Sequence, residues 1–217
     1  VDLIGAALGC LALIQLLQRL GATSTAMIVS ALGLLAGFSF DWRTKVHWRR
    51  IFVLFLAMGT MTAGIVEAHR SAQGRALLPL RWVKGRDIGQ PLFEKWNSFS
   101  LVRVYQLQPD IQTRHKPFDY DLSAKVPIAQ EVRQLNLVID ADASTLITEF
   151  DGDLNDIQYL RNSICSMVHY VRPNANVLVI GAGGGRDILT ALQFGQKSVT
   201  GIEINNNIVE AVNDQFG

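Results

Sequence analysis

Five residues, Gly181-Ala182-Gly183-Gly184-Gly185, follow directly on the apolar run Val177-Leu178-Val179-Ile180, and an acid, Glu203, comes about 20 residues later. Where a strand turns sharply into a helix, the backbone is brought against a ligand, and a Cβ at the crossing would block that approach. Glycines remove the obstruction. A carboxylate at the end of the next strand accepts both hydroxyl hydrogens of an adenosine ribose. The chemistry implied is nucleotide binding, and the candidate cofactor-binding residues are Gly181, Ala182, Gly183, Gly184, Gly185, Asp187, Glu203 and Ile204.

The spacing narrows the ligand. A dinucleotide fingerprint, GxGxxG, wants its third glycine where Arg186 stands, whereas Gly181, Gly183 and Gly185 keep a GxGxG spacing. That favours S-adenosylmethionine over NAD. A P-loop is excluded because no GK[ST] follows the glycines. His47, His69, His115 and His169 have no metal-ligand spacing among themselves or with Cys10 and Cys165, so no metal site is expected, nor a disulfide.

The elements that must hold this loop are a strand over Val177 to Ile180, a helix from about Asp187 to Phe194 and a strand from Ser198 to Ile204. Before them, Asp156 to Val171 has helical spacing at Ile157, Leu160, Ile164, Met167 and Val168, with Cys165 and His169 expected to be buried for structural reasons. Pro173 closes that helix. Phe99 to Gln106, Leu135 to Asp140 and Ala143 to Phe150 alternate as strands, the last two joined by a turn at Asp140, Ala141 and Asp142. They predict a small antiparallel domain, with Pro109 to Gln130 as an inserted loop.

The first third of the chain is of another kind. Mean hydropathy is +0.20 over 217 residues, but Leu3 to Val66 carries charge only at Arg19, Asp41, Arg43, Lys45, Arg49 and Arg50. Three bilayer-type segments are predicted, Leu3–Leu17, Leu20–Phe40 and Ile51–Val66, the last reaching only about 24 Å at 1.5 Å per residue. Gly5 with Gly9, and Gly33 with Gly37, form GxxxG patterns that permit close helix packing, within the chain or in a dimer. Ser71 to Glu94, rich in Arg and Lys with Pro79 and Trp82, reads as a juxtamembrane connector near anionic headgroups. The loop Asp41 to Arg50 is basic, and so is the opposite side, with Arg19, Arg70, Arg75, Arg81, Lys84 and Arg86. The positive-inside rule therefore decides little. A soluble domain in the cytoplasm is expected because its inferred cofactor is made there. The net charge of +1 and the lack of a basic, aromatic-interleaved stripe predict no nucleic-acid partner.

From Trp96 onward the chain resembles the spermidine synthase-like proteins, in particular those with an N-terminal membrane domain. The resemblance is carried by Trp96-Asn97-Ser98-Phe99-Ser100, Leu135-Asn136-Leu137-Val138-Ile139-Asp140, Asp156 to Tyr159, VLVIGAGGGRD and GIEIN. It implies a small β-domain ahead of a Rossmann domain of methyltransferase type, with S-adenosylmethionine or its decarboxylated form as cofactor. The family's GGGDGG motif has an acid where this chain has Gly184, its Tyr-His-Glu is Tyr159-Leu160-Arg161 here, and the Gln of its early Tyr-Gln pair corresponds to Ser100. The general base it implies would lie past Gly217.

Together these readings predict transmembrane α-helices followed by a small antiparallel β domain and a truncated α/β Rossmann (methyltransferase-like) domain. Residues 1–70 are assigned to membrane helices, the first truncated, 71–95 to the connector, 96–155 to the β domain and 156–217 to the N-terminal half of a nucleotide-binding domain. The absence of an initiating Met and the apolar start at Val1 mark a fragment, itself expected to be inactive. The expected activity is aminopropyl or methyl transfer to a small-molecule acceptor, an amine among the candidates, by a multi-pass protein of the cell (inner) membrane. A transporter or sensor with a non-catalytic nucleotide module, and an NAD-binding domain, are the alternatives. Nothing in the sequence fixes an oligomeric state or a catalytic residue.

Overall fold

The computed structural model describes residues 2–40, 47–87, 89–107, 117–122, 132–140 and 142–216. The predicted loop Asp41 to Arg50 lies largely outside them, as do Ala141 of the predicted turn and most of the inserted segment 109–130. The chain forms two compact units, Val1–Asp87 with Lys95–Ser100, and Ile88–Glu94 with Leu101–Gly217.

In the first unit, α1 (Asp2–Phe40) is one helix interrupted at Gly21, whose φ of 76° and ψ of 174° lie outside the helical region. The break falls beside the predicted junction between the first two apolar segments. Each arm is about 28 Å long at 1.5 Å per residue, close to a bilayer's hydrocarbon thickness. α2 (His47–Ala72) runs 26 residues, not the 16 predicted for Ile51–Val66. Among the described residues, two helices are thus long and apolar enough to cross a membrane. Charge at Glu67 ended the sequence-based segment, yet Glu67 is buried, its oxygens accepting from the amides of Leu77 (2.9 Å) and Leu78 (3.1 Å). A satisfied carboxylate need not end a helix.

The two helices pack through Gly64, where a Cβ would lie 3.1 Å from both Met27 and Ile28 and 3.2 Å from the Ser24 carbonyl. Buried Ser24, Ala31 and Ala57 are other small residues of this pair of helices. The GxxxG glycines do not form this seam: Gly5, Gly9, Gly33 and Gly37 meet nothing within 4 Å among the described residues. After α2 comes a two-stranded hairpin, β1 (Trp82–Val83) with β2 (Arg86–Asp87), inside the predicted connector. The Asn97 side chain accepts from the amides of Phe99 (3.0 Å) and Ser100 (2.7 Å), which accounts for the Asn in Trp96-Asn97-Ser98-Phe99-Ser100 as a turn residue.

A four-stranded antiparallel sheet has the spatial order β3 (Phe93–Trp96), β4 (Leu101–Gln106), β5 (Gln134–Ile139) and β6 (Ala143–Thr148), of which β4, β5 and β6 lie in the second unit. The last three are the predicted strands, with ends shifted by two residues or fewer. β3 was not predicted. Asp140 enters the turn after β5 with a φ of 49°, and its carboxylate accepts from the Leu101 amide at 2.9 Å.

The predicted helix Asp156 to Val171 is corrected to two 3-10 segments, Gln158–Asn162 and Ile164–Ser166, and a short α3 (Met167–Val171). Ser163 between them is extended, its hydroxyl donating to Asp121 at 2.7 Å. The predicted apolar face is consequently split: Ile157 and Leu160 are buried with Tyr159, whereas Ile164 is 69 % exposed and Met167 and Val168 also face outward.

Next come β7 (Asn176–Ile180), α4 (Arg186–Gln193) and β8 (Ser198–Ile202), with β7 and β8 parallel and in register from Asn176↔Ser198 to Ile180↔Ile202. α4 approaches β8 closely because Gly201 lacks a Cβ, which would lie 2.6 Å from Ile188. A short α5 (Asn206–Glu210), capped by the Asn205 side chain, continues as a π-helical segment, Ala211–Phe216. Its Ile208 and Ala211 join Val102, Val104, Leu137 and Ile147 in the core of the antiparallel sheet.

Candidate functional site

The glycine loop leaves β7 with three residues in the left-handed region, Gly181 (φ 74°), Gly183 (φ 54°) and Gly185 (φ 89°). That conformation disfavours any residue with a Cβ. Around Gly181 and Gly185 a Cβ would meet nothing within 4 Å. Gly184 differs: a Cβ there would overlap the Leu146 carbonyl oxygen of β6 and lie 2.6 Å from its carbon. Its bareness is demanded by packing against β6. A Cβ on Gly183 would be in ordinary contact with Thr145, at 3.4 Å.

The end of β8 fastens the loop. The Ile202 carbonyl accepts from the amides of Gly181 (2.8 Å) and Ala182 (3.1 Å), and the carboxylate of Glu203 accepts from the Gly183 amide at 3.0 Å. The other Glu203 oxygen accepts from the Asn205 amide at 2.9 Å. An ionised carboxylate offers about four acceptor positions, so half-buried Glu203 retains capacity toward solvent or a ligand. The structure thus brings Gly181 to Gly185 and Glu203 together. Asp187 sits exposed in the first turn of α4, and Ile204 is 85 % exposed just beyond Glu203.

Arg186 reaches across 67 positions of sequence to Asp119 (2.8 Å) and 65 to Asp121 (3.3 Å), and its Nε lies 3.3 Å from Asp187. The Asp119 side chain is 1 % exposed. Its desolvation pushes that carboxyl up, against the pull of Arg186. Burial acts the same way on Asp121, but hydrogen bonds from Ser163 and Cys165 and the charge of Arg186 outweigh it and hold this carboxyl far below the usual range. These partners raise the pKa of Arg186 despite its own burial. The pair Asp119 and Asp121 fell in the segment predicted to be a loop without chemistry. No local sequence signal joins it to Arg186. Alongside, Gln134 bonds Thr148 and the Tyr159 hydroxyl, both at 3.2 Å, and burial pushes Tyr159 up to about 12.

A groove of about 500 Å³ runs along β7 and is bordered by Cys165, Val168, His169, Arg172, Asp187 and Thr190. Cys165, expected to be buried, is exposed, because the 3-10 turn directs it away from the core. Its hydrogen bond to Asp121, helped by burial, raises the thiol's pKa, so it is a poor nucleophile at neutral pH. His169 is buried. Gln196 fixes its state: Oε1 accepts from the Ala175 amide at 2.7 Å, leaving Nε2 to donate to His169 Nδ1 at 3.1 Å. That arrangement holds a neutral imidazole, and burial lowers its pKa.

Comparison with protein-family models, curated proteins and solved structures finds no match to this chain. What the site can do is read from its residues.

Proposed function

We propose that the protein is a membrane-anchored transferase of the spermidine synthase-like type, moving an alkyl group from S-adenosylmethionine or its decarboxylated form to a small-molecule acceptor. The observation that carries this reading is the 3.0 Å bond from the Gly183 amide to Glu203, which joins the bare loop and the acid in one site. The β7, α4 and β8 succession, with its two parallel strands, supports a Rossmann fold of methyltransferase type. Loop and acid fit the cofactor: Gly181 and Gly185 present unobstructed backbone, and Glu203 keeps free acceptor positions. Gly181, Gly183 and Gly185 would cradle the amino-acid portion and Glu203 would take the ribose hydroxyls.

The bound cofactor supplies an activated alkyl group and a neutral thioether leaving group. The chain's own part is alignment, because holding reactants in line is itself a large share of such catalysis. Arg186 supports the choice against NAD: the side chain replacing the fingerprint's third glycine is committed to Asp119 and Asp121, and Gly201 supplies the close approach of helix and strand. With the helices in a bilayer, the transferase would belong to a multi-pass inner-membrane protein with its soluble unit in the cytoplasm, and the acceptor, an amine among the candidates, would be met near the membrane surface.

Titration calorimetry of the protein with S-adenosylmethionine, its decarboxylated form and NAD tests this. Binding of either sulfonium compound, weakened by Glu203→Ala, is expected. Tight binding of NAD alone would remove the transferase reading, and preference for the decarboxylated compound would select aminopropyl transfer.

A further inference from the structure

An acid inside a bilayer-length apolar helix calls for a purpose, and Glu67 is 2 % exposed. Both its oxygens hold the chain that leaves α2, through the amides of Leu77 and Leu78. Thr23 of α1 donates to the Leu78 carbonyl at 3.3 Å, and Arg70 Nε donates to the Arg75 carbonyl at 3.3 Å. The chain is thereby folded back onto the end of the helix pair. Leu77, Leu78, Leu80 and Trp82 are nevertheless exposed, Trp82 by 67 %. A tethered backbone that presents four large apolar side chains outward is built to meet something apolar.

Charge identifies the partner. Between Glu67 and Asp87 there is no acidic residue, while Arg70, Arg75, Arg81, Lys84 and Arg86 fall in that interval. Arg19, two residues before the break at Gly21, is exposed at the same end, as are Arg70, Arg75 and Arg81. Exposed apolar and aromatic side chains interspersed along the chain with exposed arginines match the headgroup layer of a bilayer containing acidic phospholipid.

We propose that this end of the helix pair is an anionic-lipid seat: Leu77, Leu78, Leu80 and Trp82 enter the interfacial layer, Arg19, Arg70, Arg75 and Arg81 bind headgroup phosphates, and Glu67 fixes the depth. It rests on the reading that the helices span the membrane. It does not depend on the transferase assignment.

The test uses the protein in vesicles of mixed phosphatidylcholine and phosphatidylglycerol, with one or the other lipid brominated in its chains. Quenching of Trp82 is the difference between wild type and Trp82→Phe. Brominated phosphatidylglycerol is expected to quench Trp82 several-fold more than brominated phosphatidylcholine at equal mole fraction. Each basic residue near an anionic surface changes lipid affinity by about fivefold, so Arg75→Gln with Arg81→Gln should markedly reduce the preference while quenching by both lipids persists. Glu67→Ala should weaken quenching by both. Equal quenching by the two lipids in wild type overturns the anionic seat, and absence of quenching by either, in protein that floats with the vesicles, overturns the interfacial placement. Protein that does not float with vesicles overturns the spanning reading and this proposal together.

Discussion

Gly184→Ala isolates what holds the glycine loop. The added methyl would meet the backbone of Leu146 and lie 3.1 Å from the Ile147 amide nitrogen, atoms that cannot rotate away as a side-chain end could. Either the loop or β6 must shift, and β6 is tied through its whole length to β5, from Gln134↔Thr148 to Ile139↔Ala143. Overpacking of this kind costs about 3 kcal/mol at the upper end of its range. That corresponds to a fall in melting temperature of about 12 °C for a unit of this size. Gly185→Ala is the control, because its Cβ would meet nothing within 4 Å while its φ of +89° still imposes left-handed strain. Strain alone costs about 1 to 2 kcal/mol. Thermal unfolding followed by near-ultraviolet circular dichroism, without cofactor, ranks the two. Gly184→Ala melting at or above Gly185→Ala would refute the packing of the loop on β6.

Glu203→Ala is expected to weaken S-adenosylmethionine binding by at least tenfold with the fold kept, since hydrogen bonds to a charged group are each worth about 1.5 to 3 kcal/mol; unchanged calorimetric affinity would mean the ribose is held elsewhere. Arg186→Gln leaves Asp119 buried without its counter-charge and should destabilise by about 2 kcal/mol, below the full buried-pair range because Arg186 is 25 % exposed; urea unfolding measures it. Cys165 should react slowly with a disulfide reagent at pH 7 in a Cys10→Ser background, and Asp121→Asn should accelerate it several-fold by removing the bond that keeps the thiol protonated. Burial lowers the pKa of His169, so its contribution to stability is present above the unfolded value of about 6.5 and is lost as pH falls through the folded value. His169→Gln should flatten the decline of melting temperature as pH falls below about 6.5.

Strands β4 to β8 were legible in the sequence because alternation and glycine punctuation are local signals. Leu135 to Asp140 and Ala143 to Phe150 became β5 and β6 with small end corrections. The region 156–171 was not, since periodicity at Ile164, Met167 and Val168 says nothing of Asp121, 42 positions away, which takes the Ser163 hydroxyl and keeps Ser163 extended. Tertiary hydrogen bonding overrode a helical pattern. Much the same happened at Glu67, where charge is a fair stop signal until a carboxylate finds backbone donors outside the helix. The GxxxG patterns reported the capacity for close packing but not its location, which Gly64 supplies without any such motif. At the candidate site the glycines and Glu203 were found from their spacing, whereas Asp119 and Asp121 needed the fold to bring them to Arg186.

Among the described residues β6 is an outermost strand of its sheet, and an outermost strand offers unpaired peptide groups on which a foreign chain can grow. Seating Gly184 against Leu146 caps that rim at its middle. A single absent methyl therefore serves two ends, giving the glycine loop a floor and denying β6 to intermolecular pairing. Substitutions there should reveal themselves first as insolubility.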